Sequence, residues 1–342
     1  MKFTRRDRRD LRLFLWLSLG ASVISACFGY AVSTAGNTPR PPLSGAFHGV
    51  LTSLMIATPI ILFELRSRRP GFLRRLRRLP LVAYFSLKVL FYSVVIIGSL
   101  LVMRPSIDVV FRSSLVFSIA MAVFVNLVIE MGGLLGYGTL KGLLTGRYVQ
   151  PKREQRVFLL IDMKDSTGLA ERLGPIRFHE LLNEFFRDVS DAAFETRAEI
   201  HKYVGDEAIL TWIAAKALAD GDCLTCPFIA RDVIAANGER YRRRFGVVPA
   251  FRASLHCGEI VAGEIGDVRR EIAYVGDTLN VAARLLDAAK ARSRDILVSA
   301  DLLKLMALPS DLRAEPLPTL TVRGRNAPLE IFSLERASSP PP

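Results

Sequence analysis

Cysteine and histidine are scarce, with four of each in 342 residues. The cysteines are Cys27, Cys223, Cys226 and Cys257. They offer one Cys-x-x-Cys pair, with no second pair or histidine pair at ligand spacing to complete a zinc site. A disulfide framework is excluded, and Cys223 and Cys226 read as two ordinary helical residues. His48 has no second histidine to make it a haem ligand. Negative charge is also scarce, but only in one half. Residues 1–155 hold 21 Lys/Arg against 6 Asp/Glu, a net of +15, whereas 156–342 hold 25 against 27, a net of −2. The whole excess of +13 therefore lies in the apolar half, which argues against a nucleic-acid partner and for basic loops beside a lipid bilayer. No clear small-residue cleavage site marks the first apolar run, so it is expected to be a membrane span rather than a signal peptide. No repeat relates the apolar runs, which speaks against a transporter.

Hydrophobic residues make up 50% of the chain, with a mean hydropathy of +0.28. Four stretches, roughly 11–32, 47–65, 79–103 and 113–137, reach the length of about 20 residues that crosses a bilayer core. Arg5, Arg6, Arg8, Arg9 and Arg12 precede the first. Arg66, Arg68, Arg69, Arg74, Arg75, Arg77 and Arg78 follow the second. The other two loops carry only Arg40, and Arg104 and Arg112 with Asp108. The positive-inside rule then places the N-terminus, the arginine-rich loop and everything after the fourth span in the cytoplasm, with the spans in the cell (inner) membrane. Lys88, Asn126 and Glu130 fall inside expected spans, where polar groups usually face the bundle interior. They suit either a sensing site or interhelical packing. A glycine-containing connector, 138–155, follows, with a break at Pro151.

From Val157 the pattern changes. Val157-Phe-Leu-Leu-Ile161 reads as a short buried strand ending at Asp162, and 176–196 as an amphipathic helix. Two brief strands, 199–204 and 208–212, are joined by Gly205-Asp206-Glu207. A helix over 222–244 follows, then strands near 251–257, 259–265 and 271–275, and a helix over 277–290. Adjacent strands mixed with helices predict an α+β domain with a mainly antiparallel sheet. Asp162 and Asp206 each sit where a strand meets a turn. Neighbouring strands could bring both carboxylates to one edge, where they could hold divalent metals against a triphosphate. Met163, Ser166 and Thr167 lead into a helix whose backbone N–H groups could hold phosphate oxygens.

Three segments taken together resemble the catalytic domain of class III adenylate and guanylate cyclases. They are Phe158-Leu-Leu-Ile-Asp-Met-Lys-Asp-Ser-Thr167, His201-Lys-Tyr-Val-Gly-Asp206 and Tyr274-Val-Gly-Asp-Thr-Leu-Asn-Val-Ala-Ala-Arg284. The resemblance covers roughly 156–335. It implies a ferredoxin-like α+β domain working as a head-to-tail homodimer, with ATP as substrate and two Mg²⁺ (or Mn²⁺) per active site. Carried over by position, it makes Asp162 and Asp206 the metal ligands, Lys202 the adenine-reading lysine, Asn280 the ribose-positioning asparagine and Arg284 the transition-state arginine. The late phosphate-binding basic residue falls on Arg323, with Arg325 close enough to compete. The second base-reading position falls on Ala273, a departure, because aspartate or threonine is common there. Lys202 still favours ATP: a lysine can donate to adenine N1 but cannot accept from guanine N1–H.

The expected organisation is a four-helix transmembrane domain (1–137), a connector (138–155), a cyclase domain (156–336) and a disordered tail (337–342). Three rival readings fit part of this pattern. One is a guanylate cyclase. Another is a membrane sensor whose cyclase-like domain binds nucleotide without turnover. The third is a diguanylate cyclase, whose Gly-Gly-Asp-Glu-Phe turn is similar to Val204-Gly-Asp-Glu207 but differs at Val204 and Ala208.

Overall fold

The computed structural model describes residues 5–35, 41–67, 79–103, 109–267, 270–321 and 328–337, and divides into two compact units, Met1–Met131 and Gly132–Pro342. Most of the arginine-rich loop, the residues Arg40, Arg104, Asp108, Arg323 and Arg325, and the tail from 338 lie outside the described residues.

The first unit is built from four long helices: α1 (Arg5–Thr34), α2 (Pro42–Ser67), α3 (Leu81–Met103) and α4 (Val109–Leu135). Each carries a stretch long and apolar enough to cross a membrane: Phe14–Thr34, Pro42–Arg66, Val82–Met103 and Phe111–Gly133. The protein is therefore a multi-pass membrane protein. Glycines let α1 and α2 touch: a Cβ at Gly29 would lie 2.3 Å from the Gly45 oxygen, and one at Gly49 lies 2.2 Å from the Ser25 oxygen. Tyr92, Ile96 and Leu100 of α3 pack with Phe111 of α4 and with Ile56, Ile60 and Phe63 of α2. Many large apolar side chains face outward, Trp16 and Val82 among them, which suits lipid rather than water.

The second unit opens with α5 (Tyr137–Thr145), a helix inside the connector. Strand β1 (Lys152–Met163) follows, then α6 (Ser166–Leu173) and α7 (Pro175–Glu195). Next come β2 (Glu199–Val204), β3 (Glu207–Ile213), α8 (Ala214–Asp220), α9 (Asp222–Ala236) and α10 (Gly238–Phe245). Strands β4 (Phe251–Ile265) and β5 (Glu271–Val275), helix α11 (Asp277–Ala291), β6 (Ile296–Ser299), α12 (Ala300–Leu303), β7 (Leu312–Leu320) and β8 (Leu329–Arg336) complete it. The sheet order is β2-β3-β1-β4-β6-β8-β7, with β5 paired to β4. Only β4 and β6 run parallel among the described pairs.

Central strand β1 is covered on both faces, which is why its middle is wholly apolar. Val157, Leu159 and Ile161 pack with Leu181, Phe185 and Val189 of α7 and with Cys223, Leu224 and Cys226 of α9. The two cysteines are thus core residues. Phe158 and Leu160 face the other way, toward Ala282 and Leu286 of α11, Ile272 of β5 and Tyr148 of the connector. Several boundaries differ from expectation. The first strand runs on through Asp162 to Met163, the turn between β2 and β3 is only Gly205-Asp206, and the helix expected over 222–244 breaks at Asn237. The two strands expected within 251–265 are one, because Gly258 admits a helix without ending the strand: a Cβ there would meet Thr278 Oγ1 at 2.6 Å.

Candidate active site

Strand register places Asp162 opposite Glu207 of β3 on one side and Arg252 of β4 on the other. The β2–β3 hairpin turns at Gly205, whose φ of 60° suits glycine at the first turn position. It folds Asp206 back onto the end of β1, where the Met163 N–H donates to the Asp206 backbone oxygen at 3.4 Å. The two carboxyl groups come within hydrogen-bonding reach. Burial, then the charge and hydrogen bond of Asp206, push the Asp162 carboxyl up to about 6 against the pull of Lys290 and Arg252. Burial beside Asp162, Asp206 and Asp287 likewise pushes Glu207 up to about 7. Like charges held this close call for a cation.

No cluster of three or more candidate metal-ligating side chains forms among the described residues. The chain thus offers two hard carboxylates and neighbouring backbone oxygens, a donor set suited to Mg²⁺ or Mn²⁺ with substrate phosphates completing the shell. Just beyond β1 the chain turns sharply. Lys164 N–H donates to Ala250 O at 2.8 Å, Lys164 Nζ pairs with Asp295, and Asp165 adopts φ 55°. Helix α6 then begins at Ser166, so Ser166 and Thr167 form its first turn, whose backbone N–H groups have no intrahelical acceptor.

Lys202 is exposed on β2, next to a register shift that frees His201 from the ladder. The His201 ring stacks on Tyr274 of β5 at 4.5 Å, which brings together the strands carrying Lys202 and Ala273. Ala273 is half-buried opposite Gly263. Burial, then the charges of Lys202 and Arg156, hold the His201 imidazole down at about 4, so it is neutral. Asn280 and Arg284 lie one turn apart on α11 and are both exposed. Among the described residues Arg284 pairs with Asp287 at 3.5 Å, not with either aspartate of the pair. Within one chain, then, Asp162 and Asp206 meet, whereas Lys202, Asn280 and Arg284 face outward.

Two features escaped the sequence reading. Arg252 and Lys290 both act on Asp162, and Arg252 places a guanidinium beside the carboxylate pair. Its position depends on the β1–β4 register, which no local pattern reveals. The other is Arg156, fully buried against β2 and β5. It donates through Nε to Glu154 (2.8 Å), through one terminal nitrogen to Glu199 of β2 (2.9 Å) and through the other to the Tyr148 hydroxyl (2.9 Å). Its guanidinium also lies 4.8 Å from the Tyr274 ring centroid. An arginine directly preceding the apolar run Val157–Ile161 was the available signal.

Residues 149–336 match the family model for the adenylate and guanylate cyclase catalytic domain. Adenylate cyclase 2 of Rhizobium meliloti (strain 1021) is 38% identical over 312 residues, covering 86% of this chain and 85% of that one. An adenylate cyclase of Anabaena cylindrica is 24% identical over 187 residues, 52% of this chain and 36% of the relative. A solved bacterial light-regulated adenylyl cyclase superposes with a TM-score of 0.51 at 13% identity, covering 67% of this chain and 66% of that chain. With a family match over more than half its length and a relative similar through both units, this chain is a membrane-spanning member of the class III adenylate/guanylate cyclase family.

Proposed function

We propose that the protein is an adenylate cyclase that converts ATP to 3′,5′-cyclic AMP and pyrophosphate at a site completed by a second copy of the chain. The observation that carries this reading is the split just described. The carboxylate pair Asp162–Asp206 is assembled in one chain, while Asn280 and Arg284 present an exposed face with no substrate-side partner of their own. A head-to-tail homodimer supplies each half with the other and gives two equivalent sites.

In the reaction the ribose 3′-oxygen bonds to the α-phosphorus, the α–β bridging oxygen departs with pyrophosphate, and the 3′-hydroxyl proton leaves to solvent. Two Mg²⁺ or Mn²⁺ ions held by Asp162 and Asp206 would lower the hydroxyl's pKa and neutralise the triphosphate. Asn280 orients the ribose. Arg284, released from its exposed pairing with Asp287, stabilises charge developing on the α-phosphoryl group. Backbone N–H groups at Ser166 and Thr167, together with Arg252 and with Arg323 or Arg325, hold phosphate oxygens. Lys202 donates to adenine N1, while Ala273 adds no polar contact. The 38% identical relative named an adenylate cyclase supports ATP as the substrate. The spans are placed in the inner membrane with the N-terminus and catalytic domain cytoplasmic, a reading supported by the basic residues flanking them.

The test is product identification by the purified full-length protein given ATP and GTP separately, with Mg²⁺ and then Mn²⁺. Cyclic AMP is expected as the main product. Faster production of cyclic GMP would overturn the choice of base, and no cyclic nucleotide from either substrate would overturn the activity.

A further inference from the structure

Strand β2 carries an extra residue. Glu199 pairs with Thr211 and Ile200 with Leu210, but the next pair in the ladder is Lys202 with Ile209, so His201 is bulged out of register. Residues paired across a ladder share a sheet face, and a one-residue slip sends every following side chain to the other face. Thr211 is paired in turn with Phe158, and Ile209 with Leu160. Glu199 and Lys202 therefore lie on the face of Phe158 and Leu160, which α11 covers. By the alternation of β1, Asp162 belongs to that face too. The neighbours of Lys202 agree with this placement. Ile200 packs into the core on the opposite face, and Tyr203 stacks on Phe186 of α7 at 4.4 Å. Simple alternation would have put Lys202 beside Ile200, facing α7.

Among the described pairings β2 lies at the edge of the sheet and is held by β3 alone. The bulge is fixed from another strand. The half-buried His201 ring stacks on Tyr274 of β5 with ring centroids 4.5 Å apart. The Tyr274 ring meets Phe158 edge-on at 5.7 Å, and its centre is 4.8 Å from the Arg156 guanidinium. Arg156 also donates to Glu199, the last residue but one before the bulge, at 2.9 Å. The bulge is thus clamped twice from outside its own ladder: ahead of it through Glu199, and within it through the His201 ring. Bulges beside active sites re-aim side chains in this way.

We propose that His201 is a positioning residue for base selection: its stack on Tyr274 holds the bulge that turns Lys202 to the face carrying Asp162. The inference rests on the reading of Lys202 as the donor to adenine N1, and it adds what directs the lysine there. His201 itself touches no substrate. Its flat ring carries the role, not its polarity.

The test reads affinity apart from turnover. Full-length protein in detergent is titrated with 3′-deoxy-ATP and 3′-deoxy-GTP, which lack the attacking hydroxyl, and kcat and KM for ATP are measured alongside. Lys202→Ala sets the scale and should lower the ratio of the two affinities about tenfold, the worth of one hydrogen bond from a charged donor. His201→Ala should lower the ratio about as far and raise KM for ATP, with kcat kept within about twofold. Tyr274→Leu, which removes the stack from the other strand, should do the same. His201→Phe keeps a flat ring against Tyr274 and should retain the wild-type ratio. In a Lys202→Ala background, His201→Ala should change the ratio no further, because it acts through the lysine. If Lys202→Ala lowers the ratio but His201→Ala leaves it unchanged, or weakens both nucleotides equally, the positioning role is overturned and the reading of Lys202 stands. If Lys202→Ala leaves the ratio unchanged, the reading of Lys202 falls and the inference falls with it.

Discussion

Two charged centres of the catalytic unit lie six residues apart on the same strand, and they are built on opposite plans. In the first half of β1, Arg156 is buried with each guanidinium nitrogen donating a hydrogen bond, to two glutamates and a tyrosine hydroxyl, and with an aromatic ring beside it. At the end of β1, Asp162 is pressed against Asp206 and Glu207, and its carboxyl is held up at about 6 by burial and like charge. The first centre is satisfied by the chain itself. The second is strained until something positive arrives. Satisfaction marks a residue that positions the framework, and strain marks one that waits for a ligand.

The sharpest way to break the comparison is to neutralise each centre. Asp162→Asn or Asp206→Asn should cut turnover by about three orders of magnitude, the scale of the roughly 4 kcal/mol that metal-assisted charge stabilisation provides. Removing one of two repelling charges should leave thermal stability equal or higher. Arg156→Met should do the reverse. It removes a partner from Glu199, which is partly exposed, and one of two cations from Glu154, which keeps Arg147 at 2.8 Å, so the catalytic unit should lose about 1–3 kcal/mol of stability, measured by its unfolding midpoint. Activity at low temperature should fall far less than in the aspartate variants.

Smaller effects should appear between the two centres. Ala273→Thr places a hydroxyl on β5 opposite Gly263 and should sharpen the preference for ATP over GTP about two- to tenfold, the worth of one neutral hydrogen bond. The ratio of kcat/KM for the two nucleotides checks it. An effect confined to acid pH concerns His201. Its folded pKa, near 4, lies below the ordinary value of 6.5. Unfolded chains therefore take up a proton that folded ones refuse, and stability is lost as pH falls from about 6.5 towards 4. His201→Phe should keep the stack on Tyr274 and remove that part of the acid sensitivity, seen as a flatter plot of unfolding midpoint against pH.

Much of the strained centre was legible in the sequence, because its residues announce themselves locally. Asp162 ends an apolar run, Gly205-Asp206 is a turn signal, and Asn280 and Arg284 stand four apart on an amphipathic segment. The satisfied centre was not, because its partners come from separate places in the chain: Tyr148, Glu199 and Tyr274 meet Arg156 only once β1, β2 and β5 are assembled. The same holds for Glu64. Only the packing of α2 against α3 shows it paired with Lys88. Gly258 misled for a related reason. Glycine in a strand pattern reads as a break, whereas here it admits Thr278 of α11 against an unbroken strand. By contrast, Asn237-Gly238 carried a usable turn signal at the point where α9 gives way to α10.

The central claim is that the carboxylate pair of one chain works with the asparagine and arginine of another. Co-expression of Asp206→Ala and Arg284→Ala chains, with the heterodimer isolated through two different tags, tests it most directly. Each variant alone forms only incomplete sites and should be inactive. A heterodimer carries one doubly defective site and one intact site, so it should recover about half of the wild-type rate per dimer if the two sites act independently. Isolated heterodimers as inactive as their parents would contradict the account, because the residues would then have to converge within a single chain.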